Sequence, residues 1–353
     1  MYKDTGGDTV QVTKTAEYLR RLGIEVDIKL CTESPAYADY DLLHFFNIIR
    51  PADILHHIQA SGKPYVVSTI FVDYAEYEQK ARGGIARLLF KCFSADQVEY
   101  LKVVARRLKN GEKIVSPGYL WRGHRRSLLY IARHAARLLP NSQSEYNRLA
   151  ARYRLQQAPH SYTVVPNGID ANLFKRSHAQ PLRNNKLVLC VGRIEGRKNQ
   201  LNLIRALQDS GFTLYIIGSP SANQMAYFEE CKKYEGPDLR FISAVSQQEL
   251  VQYYTTAKVH VLPSWFETTG LSTLEAAAMG CNIVITDKGD TREYFEDFAW
   301  YCDPESPASI KAAIEQAAAA PVQEQLVEKI YTQYTWDAVA GKTRQVYAEV
   351  ISK

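Results

Sequence analysis

The chain has 353 residues, of which 46% are hydrophobic and 23% charged, and its formal net charge is +5. This composition is typical of a globular protein that is long enough for two domains with separate cores. No apolar run approaches the ~20 residues that a membrane-spanning helix needs. The six cysteines stand singly and the eight histidines form no HExxH motif, so the sequence predicts a reducing, cytoplasmic compartment and no metal site.

Apolar runs of strand length alternate with helical patterns along the whole chain. Strict alternation of strand and helix predicts parallel sheets with right-handed crossovers. Two such blocks predict an α/β fold of two doubly wound, Rossmann-like domains, with ligands bound in the cleft between them at the carboxyl ends of the strands. The predicted strands cover residues 25–30, 41–46, 63–68, 136–140, 186–191, 213–218, 239–242, 258–262 and 282–286. Helical patterns lie between them, and examples are residues 10–22, 197–209, 247–256 and 271–279.

The first block begins in an unusual way. A doubly wound domain normally opens with a central buried strand, whereas the polar residues 1–8 lead directly into a helix. One hypothesis is that the first strand is missing because the true start lies upstream, and the alternative is a domain with one strand fewer. An upstream in-frame hydrophobic segment of ~6 residues would support the first hypothesis.

The join between the two blocks is predicted near residue 165. Residues 162–165 predict a last strand, and Pro166, Asn167 and Gly168 together predict a turn. The polar residues 175–185 then predict a linker. The predicted parts are an N-terminal domain of residues 1–165, a C-terminal domain of residues 166–335 and a final helix of residues 336–353.

Positive charge is concentrated in one segment of the first block. Residues 76–137 contain 14 Lys and Arg against 5 Asp and Glu, a balance of +9 that leaves about −4 for the rest of the chain. Within residues 81–137 the basic side chains alternate with Leu, Ile, Phe and Trp. Such helices either lie on an anionic membrane surface or expose a solvated basic face while packing on an ordinary core. The first interpretation predicts peripheral contact with the inner face of the membrane.

Residues 263–280 are the most informative segment for function. Glu267 follows a predicted strand, a helix begins near Gly270, and Glu275 falls in the second turn of that helix among Leu and Ala. A carboxylate in an apolar stretch is costly unless it accepts hydrogen bonds, and sugar hydroxyls are suitable donors. Backbone amides near Gly270 and Leu271 would point out of the helix N-terminus, which suits a phosphate. The alternative is a solvent-exposed glutamate on an ordinary helix.

A second segment opens the second block of the chain. Arg197 and Lys198 are predicted in the first helical turn after the strand of residues 186–191. Cations at that position interact unfavourably with the positive end of the helix dipole. A bound anion would make the electrostatic interaction at this helix end favourable. The alternative is a pair of solvated basic residues.

Two glutamates separated by seven residues, after a strand that ends in Pro-Ser, resemble the EX7E signature of the family 4 retaining glycosyltransferases. The resemblance implies that Glu267 contacts the hydroxyls of the donor sugar and that Glu275 holds the ribose of the nucleotide. Thr269, Gly270 and Leu271 would belong to the same donor-binding loop. Where the family usually has a Gly-Phe-Gly-like run, this chain keeps only Gly270.

The resemblance also implies that the domain of residues 1–165 binds the acceptor and that the domain of residues 166–335 binds the nucleotide sugar. It further implies roles for basic residues and glycines elsewhere in the chain. Arg193 and Lys198 match the pair that grips the donor diphosphate and stabilises the leaving nucleotide. Gly6 and Gly7 match the N-terminal glycine loop that approaches the donor phosphate from the opposite domain, and Gly218 matches the loop near the nucleoside. Because no Asp-x-Asp metal motif is present, the two cations are expected to replace a divalent ion.

The first block departs from the family at one position. Where the family usually has a histidine, this chain has Phe71, and either Asp73 or Tyr74 could substitute for it. His44 and Asn47 are also expected to face the cleft. A core histidine with satisfied hydrogen bonds is the favoured interpretation of His44.

The resemblance implies a glycosyltransferase of EC class 2.4 that transfers a sugar from a UDP- or GDP-sugar to a saccharide or lipid-linked acceptor with retention. Bacterial surface polysaccharide or glycolipid synthesis is the expected setting, with no cofactor and no nucleic-acid partner. The alternatives are a nucleotide-sugar epimerase and a degenerate, non-catalytic binding subunit. A Rossmann oxidoreductase is disfavoured, because no GxGxxG motif follows the first strand of either block.

Overall fold

The computed structural model describes residues 6–72, 95–110, 116–155, 162–176 and 183–352. The chain divides into two compact units, and each contains one parallel β-sheet. Unit 1 consists of Met1–Pro166 and Val339–Lys353, and unit 2 consists of Asn167–Ala338. The prediction of two doubly wound α/β domains is therefore confirmed. No helix within the described ranges is long and apolar enough to cross a membrane.

Unit 1 is built on three described parallel strands in the order β1-β2-β3. The strands are β1 (Leu43–Phe46), β2 (Tyr65–Ser68) and β3 (Arg137–Leu139). The helices are α1 (Gly7–Arg21), α2 (Pro51–Ser61), α3 (Ala95–Asn110), α4 (Pro117–His134) and α5 (Gln143–Tyr153), and Tyr37–Asp39 forms a 3-10 turn.

The core of unit 1 forms where helices cover the sheet. All four residues of β2 are buried, as expected for the central strand of a parallel sheet. Leu128, Ile131 and Ala132 recur at helical spacing on α4 and are fully buried in the same cluster as Leu55 of α2. In α5 the Ser142 side chain accepts a hydrogen bond from the third backbone amide of the helix, which caps its N-terminus.

Two strand predictions in unit 1 are wrong. Residues 25–30 form no strand, because no strand in the described part of the chain lies beside them to accept their backbone hydrogen bonds. Residues 162–165 run alongside β3, with the Thr163 amide donating to the Leu138 carbonyl at 2.9 Å. Tyr162 makes only an isolated bridge to Leu138, so this segment is extended chain rather than a strand.

The described residues of unit 2 form six parallel strands in the order β6-β5-β4-β7-β8-β9. The strands are β4 (Asn184–Val191), β5 (Thr213–Ile217), β6 (Leu239–Ile242), β7 (Ala257–Leu262), β8 (Asn282–Thr286) and β9 (Trp300–Cys302). The α-helices are α6 (Gln200–Leu207), α7 (Met225–Lys232), α8 (Gln247–Thr256), α9 (Leu271–Ala278), α10 (Thr291–Phe295), α11 (Pro307–Ala319) and α12 (Glu324–Gln333). The 3-10 turns are Gly196–Lys198, Ala222–Gln224 and Glu296–Phe298.

The strand order of unit 2 places a topological switch point between β4 and β7. The chain proceeds from β4 outward through β5 to β6, then returns to the other side of β4 to continue with β7, β8 and β9. In open parallel sheets, ligands bind outside the carboxyl ends of the strands at such a point. The loops that follow β4 and β7 are therefore the first place to look for a site.

Sequence reasoning missed or misplaced three features of unit 2. The edge strand β9 was not predicted, because three residues give no periodic signal. The predicted linker of residues 175–185 is too long, since β4 already begins at Asn184. The Arg183 guanidinium just before it donates to the carbonyl of Tyr254 at 2.7 Å and to that of Ala257 at 2.6 Å. The predicted helix of residues 197–209 is interrupted at Asn199, which separates the 3-10 turn from α6.

The last helix, α13 (Trp336–Ile351), begins in unit 2 and continues into unit 1. Within unit 1, the Tyr347 hydroxyl lies 2.6 Å from His44 Nδ1, and Arg137 forms an ion pair with Glu349 at 2.8 Å. Within unit 2, a Cβ on Gly168 would lie 2.6 Å from the carbonyl carbon of Thr335, so only glycine fits there.

Candidate functional site

The loops after β4 and β7 are joined by backbone and side-chain hydrogen bonds. The Trp265 amide donates to the Arg197 carbonyl at 2.9 Å. The Ser272 hydroxyl in the first turn of α9 donates to the carbonyl of Val191, the last residue of β4, at 2.8 Å. These contacts bring the two segments singled out in the sequence to one place at the switch point.

Lys198 and Glu267 form an ion pair at this place. Lys198 Nζ lies 2.5 Å from Glu267 Oε2, and their side chains are only 18% and 10% exposed. The Ser264 hydroxyl donates to the same carboxylate oxygen at 3.1 Å. A cation and a carboxylate are thus held together with little solvent, and an incoming ligand that carries an anion and hydroxyl donors could bind both.

Asn199 fixes the position of the lysine. Its backbone has a left-handed conformation with φ of 64°, which asparagine tolerates better than most residues. Its side-chain amide donates to the carbonyls of Pro263 at 3.1 Å and Pro304 at 2.8 Å. Lys198 consequently ends a 3-10 turn, and the prediction that Arg197 and Lys198 lie in the first turn of an α-helix is wrong.

The backbone of Glu267 is pinned to the loop after β8. The Glu267 amide donates to the Lys288 carbonyl at 3.1 Å, and the Asp290 amide donates to the Glu267 carbonyl at 3.0 Å. Gly289 lies between them with φ of 106°, and a Cβ there would lie 2.0 Å from the Glu267 carbonyl oxygen. The close approach therefore requires glycine.

The N-terminus of α9 lies directly after this loop. Gly270 has φ of 67° as the residue before the helix, and a Cβ on it would lie 2.9 Å from the Thr273 hydroxyl. Thr269 is buried and accepts a hydrogen bond from the Asn167 side-chain amide at 3.1 Å. The amide of Leu271, the first residue of α9, has no acceptor within the helix, as at every helix N-terminus. This geometry suits an anion.

Glu275 is only 8% exposed, which argues against a solvated glutamate on an ordinary helix. Its Oε1 accepts a hydrogen bond from the Gln247 side-chain amide at 3.1 Å. Its Oε2 accepts one from the Tyr254 hydroxyl at 3.2 Å. Both donors lie on α8, so this carboxylate is held between two helices.

The remaining predicted residues of unit 2 lie on the loops after β4 and β5. Arg193 Nε is 3.8 Å from Glu195 Oε1, and Arg197 Nε donates to the same oxygen at 2.7 Å. A Cβ on Gly218 would lie 2.0 Å from the carbonyl oxygen of Gly192. The two loops are in direct backbone contact, so Gly218 serves this close approach.

The predicted residues of unit 1 belong to the other compact unit. Gly6 precedes α1 in an extended conformation and Gly7 is the first residue of the helix. His44 is half-buried and has both ring nitrogens hydrogen-bonded, as expected for a histidine with a structural role, and desolvation lowers its pKa to about 3. Asn47 has φ of 71° at the carboxyl end of β1. Asp73 and Tyr74 lie outside the described residues.

Phe71, at the position where a histidine was expected, is buried on a tightly held loop. Its amide donates to Glu145 Oε1 at 2.8 Å, and the Thr69 hydroxyl donates to the same oxygen. Between them, Ile70 has φ of 45°, which is unusual for a β-branched residue. The Asn141 amide donates to the other oxygen of Glu145 at 2.9 Å, so one buried carboxylate holds the loops after β2 and β3.

Sequence reasoning missed four residues that support the site. Ser264 and Gly289 hold Glu267, and Gln247 and Tyr254 hold Glu275. Gly289 alone had a local signal, because glycine after a strand indicates a turn. Among the described residues, no group of three His, Cys, Asp or Glu side chains could hold a metal ion.

The fold is shared with solved structures of low sequence identity. Sucrose-phosphate synthase from Thermosynechococcus elongatus superposes with a TM-score of 0.75 at 17% identity, covering 99% of this chain and 94% of that chain. HepE from Anabaena, solved in complex with UDP-glucose, superposes with a TM-score of 0.69 at 16% identity, covering 98% and 97%. The two parallel-sheet, Rossmann-like units are the GT-B fold.

The second unit is assigned more closely by sequence. Residues 174–333 match the family model described as Glycosyl transferases group 1. Glycogen synthase of Mycobacterium tuberculosis is 29% identical over 197 residues, which cover 52% of this chain and 48% of that protein. The chain spans about half the length of the curated relatives of this kind that it matches.

Proposed function

We propose that the chain is a retaining glycosyltransferase that transfers a sugar from a nucleoside diphosphate sugar to an acceptor hydroxyl. The observation that carries the proposal is the Lys198–Glu267 ion pair at the switch point of the group 1 domain. A sugar diphosphate supplies the two partners that this pair needs, since its phosphate is an acceptor for lysine and its hydroxyls are donors for glutamate.

The expected chemistry follows from the charges at the site. Lys198, Arg193 and the N-terminus of α9 would stabilise the negative charge that develops on the departing diphosphate. The acceptor oxygen forms a bond to the anomeric carbon on the same face from which the bond to the phosphate oxygen breaks. The proton of the acceptor hydroxyl passes to that phosphate oxygen. Glu267 would hold the sugar by its hydroxyls during this step.

Glu275 is proposed to bind the ribose of the donor. A mostly buried carboxylate is stabilised by hydrogen bonds from hydroxyl donors. Glu275 lies one turn after the N-terminus of α9, where the phosphates are proposed to bind. UDP-glucose is the first donor to test, because HepE was solved with it, and GDP-mannose is the second. A saccharide or lipid-linked acceptor in surface polysaccharide or glycolipid synthesis remains the expected setting.

The test is turnover of UDP-glucose and GDP-mannose by the full chain, followed by NMR of the released or transferred sugar. We expect that a donor with the α configuration at its anomeric carbon gives a first-formed product with the same α configuration. Glu267→Gln should lower the rate at least about a hundredfold, because the sugar would lose the charged acceptor that positions its hydroxyls. Glu315→Gln, which changes an exposed carboxylate on α11, is the matched control. An inverted product would contradict retention.

The two rival functions give different results in the same assay. A nucleotide-sugar epimerase would convert the donor to a different sugar nucleotide without any acceptor. A non-catalytic subunit would bind the donor without turning it over, and Phe71 at the histidine position is the observation that motivates this alternative. Either result would replace the transferase proposal.

We also propose that residues 81–137, which include α3 and α4, make peripheral contact with the inner face of the membrane. Trp121 is 90% exposed and lies just before Gly123, whose non-helical backbone with φ of 73° kinks α4. Arg125, Arg126 and Arg133 after the kink are also exposed, and an exposed tryptophan beside exposed arginines favours an anionic lipid surface. Residues 84–93 of this segment lie outside the described residues. The other face of α4 packs on the core of unit 1.

Flotation with vesicles of phosphatidylglycerol and phosphatidylcholine tests the membrane proposal. The wild type should float with the anionic vesicles at low salt and be released as salt is raised. Trp121→Ala should weaken flotation, whereas Met225→Ala, which removes an exposed apolar side chain from unit 2, should not. No flotation of the wild type at low salt would contradict the proposal.

A further inference from the structure

The carboxylate of Glu275 is held from one side by two residues of a single helix. Gln247 and Tyr254 are seven residues apart, which places them on one face of α8 two turns apart. Gln247 donates to Oε1 and Tyr254 donates to Oε2. Each oxygen therefore has its own donor, and rotation of the carboxylate would break both hydrogen bonds.

Tyr254 is immobilised by the core of unit 2. It is fully buried, with its ring 6.1 Å from that of Phe174 and 6.0 Å from that of His260 between the centroids. Its carbonyl oxygen accepts hydrogen bonds from Arg183 Nη1 at 2.7 Å and from Cys281 Sγ at 3.1 Å. Because the ring and backbone are both fixed, the position of the hydroxyl is set before any ligand arrives.

The direction and the protonation of the hydroxyl follow from its surroundings. Aromatic side chains in helices point back toward the helix N-terminus, and the N-terminus of α8 is where Gln247 lies. Burial, and then the charge of Glu275, raises the pKa of Tyr254 well above its usual value of 10. The phenol thus stays protonated and acts as a donor across the physiological range.

The charge of the two donors matters as much as their position. Glu267 is paired with a lysine, whereas the donors from Gln247 and Tyr254 to Glu275 are neutral. Neutral donors orient a carboxylate without adding a positive charge of their own.

We infer that Tyr254, assisted by Gln247, is a positioning residue that orients Glu275 toward the vicinal ribose hydroxyls of a nucleoside diphosphate. The inference rests on the proposed function. The Tyr254 hydroxyl would then be responsible for a preference for ribose over deoxyribose. The Tyr254 side chain is itself too deeply buried to contact the ligand.

The test is the ratio of affinities for a ribonucleotide and its 2′-deoxy form, measured by calorimetry on the full chain. UDP with dUDP, GDP with dGDP and ADP with dADP are the probes. The wild type should bind one ribonucleotide about tenfold or more tightly than its deoxy form, as one hydrogen bond to a charged group allows. Tyr254→Phe should reduce that ratio at least about threefold.

Two further variants separate positioning from stability. Tyr331→Phe removes another tyrosine hydroxyl of unit 2, which donates to the Phe174 carbonyl, and should leave the ratio unchanged. Gln247→Met removes the other donor at a half-buried position, and should reduce the ratio in the same direction as Tyr254→Phe. If Tyr254→Phe does not fold, Gln247→Met decides the matter by the same ratio.

The outcomes distinguish this inference from the proposed function. If a ribonucleotide binds to the wild type with ribose preference and neither variant changes the ratio, the positioning role is wrong and the donor site stands. If the variants bind both nucleotide forms equally less well, Tyr254 and Gln247 are merely structural. If the wild type binds none of the six probes, the proposed function itself fails.

Discussion

Lys198 and Glu267 form an ion pair with each other, and both are predicted to act on the donor. Their atoms are 2.5 Å apart and the side chains are mostly buried. A sugar diphosphate would have to exchange this ion pair for two new sets of hydrogen bonds. The pair therefore keeps two charges satisfied in a place where either charge alone would be costly.

A double-mutant cycle tests that account of the ion pair. Lys198→Met and Glu267→Gln should each lower the free energy of unfolding by about 1–3 kcal/mol, because each leaves a polar group without its partner. The double variant should be less destabilised than the sum of the two, since no unpaired charge is left. Urea unfolding of the four proteins measures this. If the losses of unfolding free energy in the two single variants add up to the loss in the double variant, Lys198 and Glu267 do not stabilise each other.

A second residue-scale prediction concerns His260 in β7. Burial lowers its pKa to about 3, and the nearby Lys198 lowers it further. The unfolded chain takes up this proton near pH 6.5, whereas the folded chain does not. The histidine therefore costs no stability above pH 6.5, and stability is lost progressively as the pH falls from 6.5 toward 3.

Replacement of this histidine should remove that part of the acid sensitivity. Between pH 7 and pH 5 the wild type should lose about 2 kcal/mol more unfolding free energy than His260→Leu does. Urea unfolding at both values gives the difference, with His134→Gln, an exposed histidine of α4, as the control. Equal losses in the wild type and His260→Leu would mean that His260 is protonated in the folded chain.

At the scale of elements, the site depends on loops that belong to separate strands but share hydrogen bonds. The loop after β7 carries Glu267, and it is bonded on one side to the loop after β4 and on the other to the loop after β8. The sheet register fixes where the strands end. The loops then fix the functional side chains relative to one another, which is why glycines occur at the closest approaches.

Gly289→Ala tests this arrangement. The added Cβ would lie 2.0 Å from the carbonyl oxygen of Glu267, in a backbone conformation with φ of 106°, so the loop after β7 must move. We expect at least about a tenfold loss of donor turnover, because misplacement by an ångström is costly in active sites. Gly341→Ala on α13 has no atom within 4 Å of the new Cβ and should keep full activity. Full activity of Gly289→Ala would contradict the account.

At the scale of the whole molecule, sequence patterns predicted elements that are long or strongly periodic. The helix of residues 247–256 is found with the same bounds, and β6 and β8 also match. The strand predicted at residues 25–30 is wrong because a strand needs a neighbour, which periodicity does not supply. Edge strand β9 is too short to give a pattern of its own.

The residues of the site that lie close together in the sequence could be predicted, whereas those brought in by packing from other elements could not. Arg193 with Lys198, and Glu267 with Glu275, lie on short segments whose spacing can be read directly. Tyr254 lies 21 positions before Glu275 on another helix, and the sequence contains nothing that marks it. Contacts that depend on how elements pack cannot be inferred from one segment.

The most direct test of the central claim is calorimetric binding of UDP-glucose, GDP-mannose and ADP-glucose to the full chain and to two variants. The account predicts that one donor binds the wild type with a dissociation constant in the range of about 1 μM to 1 mM. Lys198→Met should weaken that donor at least about tenfold through the diphosphate, and Glu275→Ala should weaken it similarly through the ribose. Binding that is unchanged in both variants, or no binding of any donor at millimolar concentration, would contradict the account.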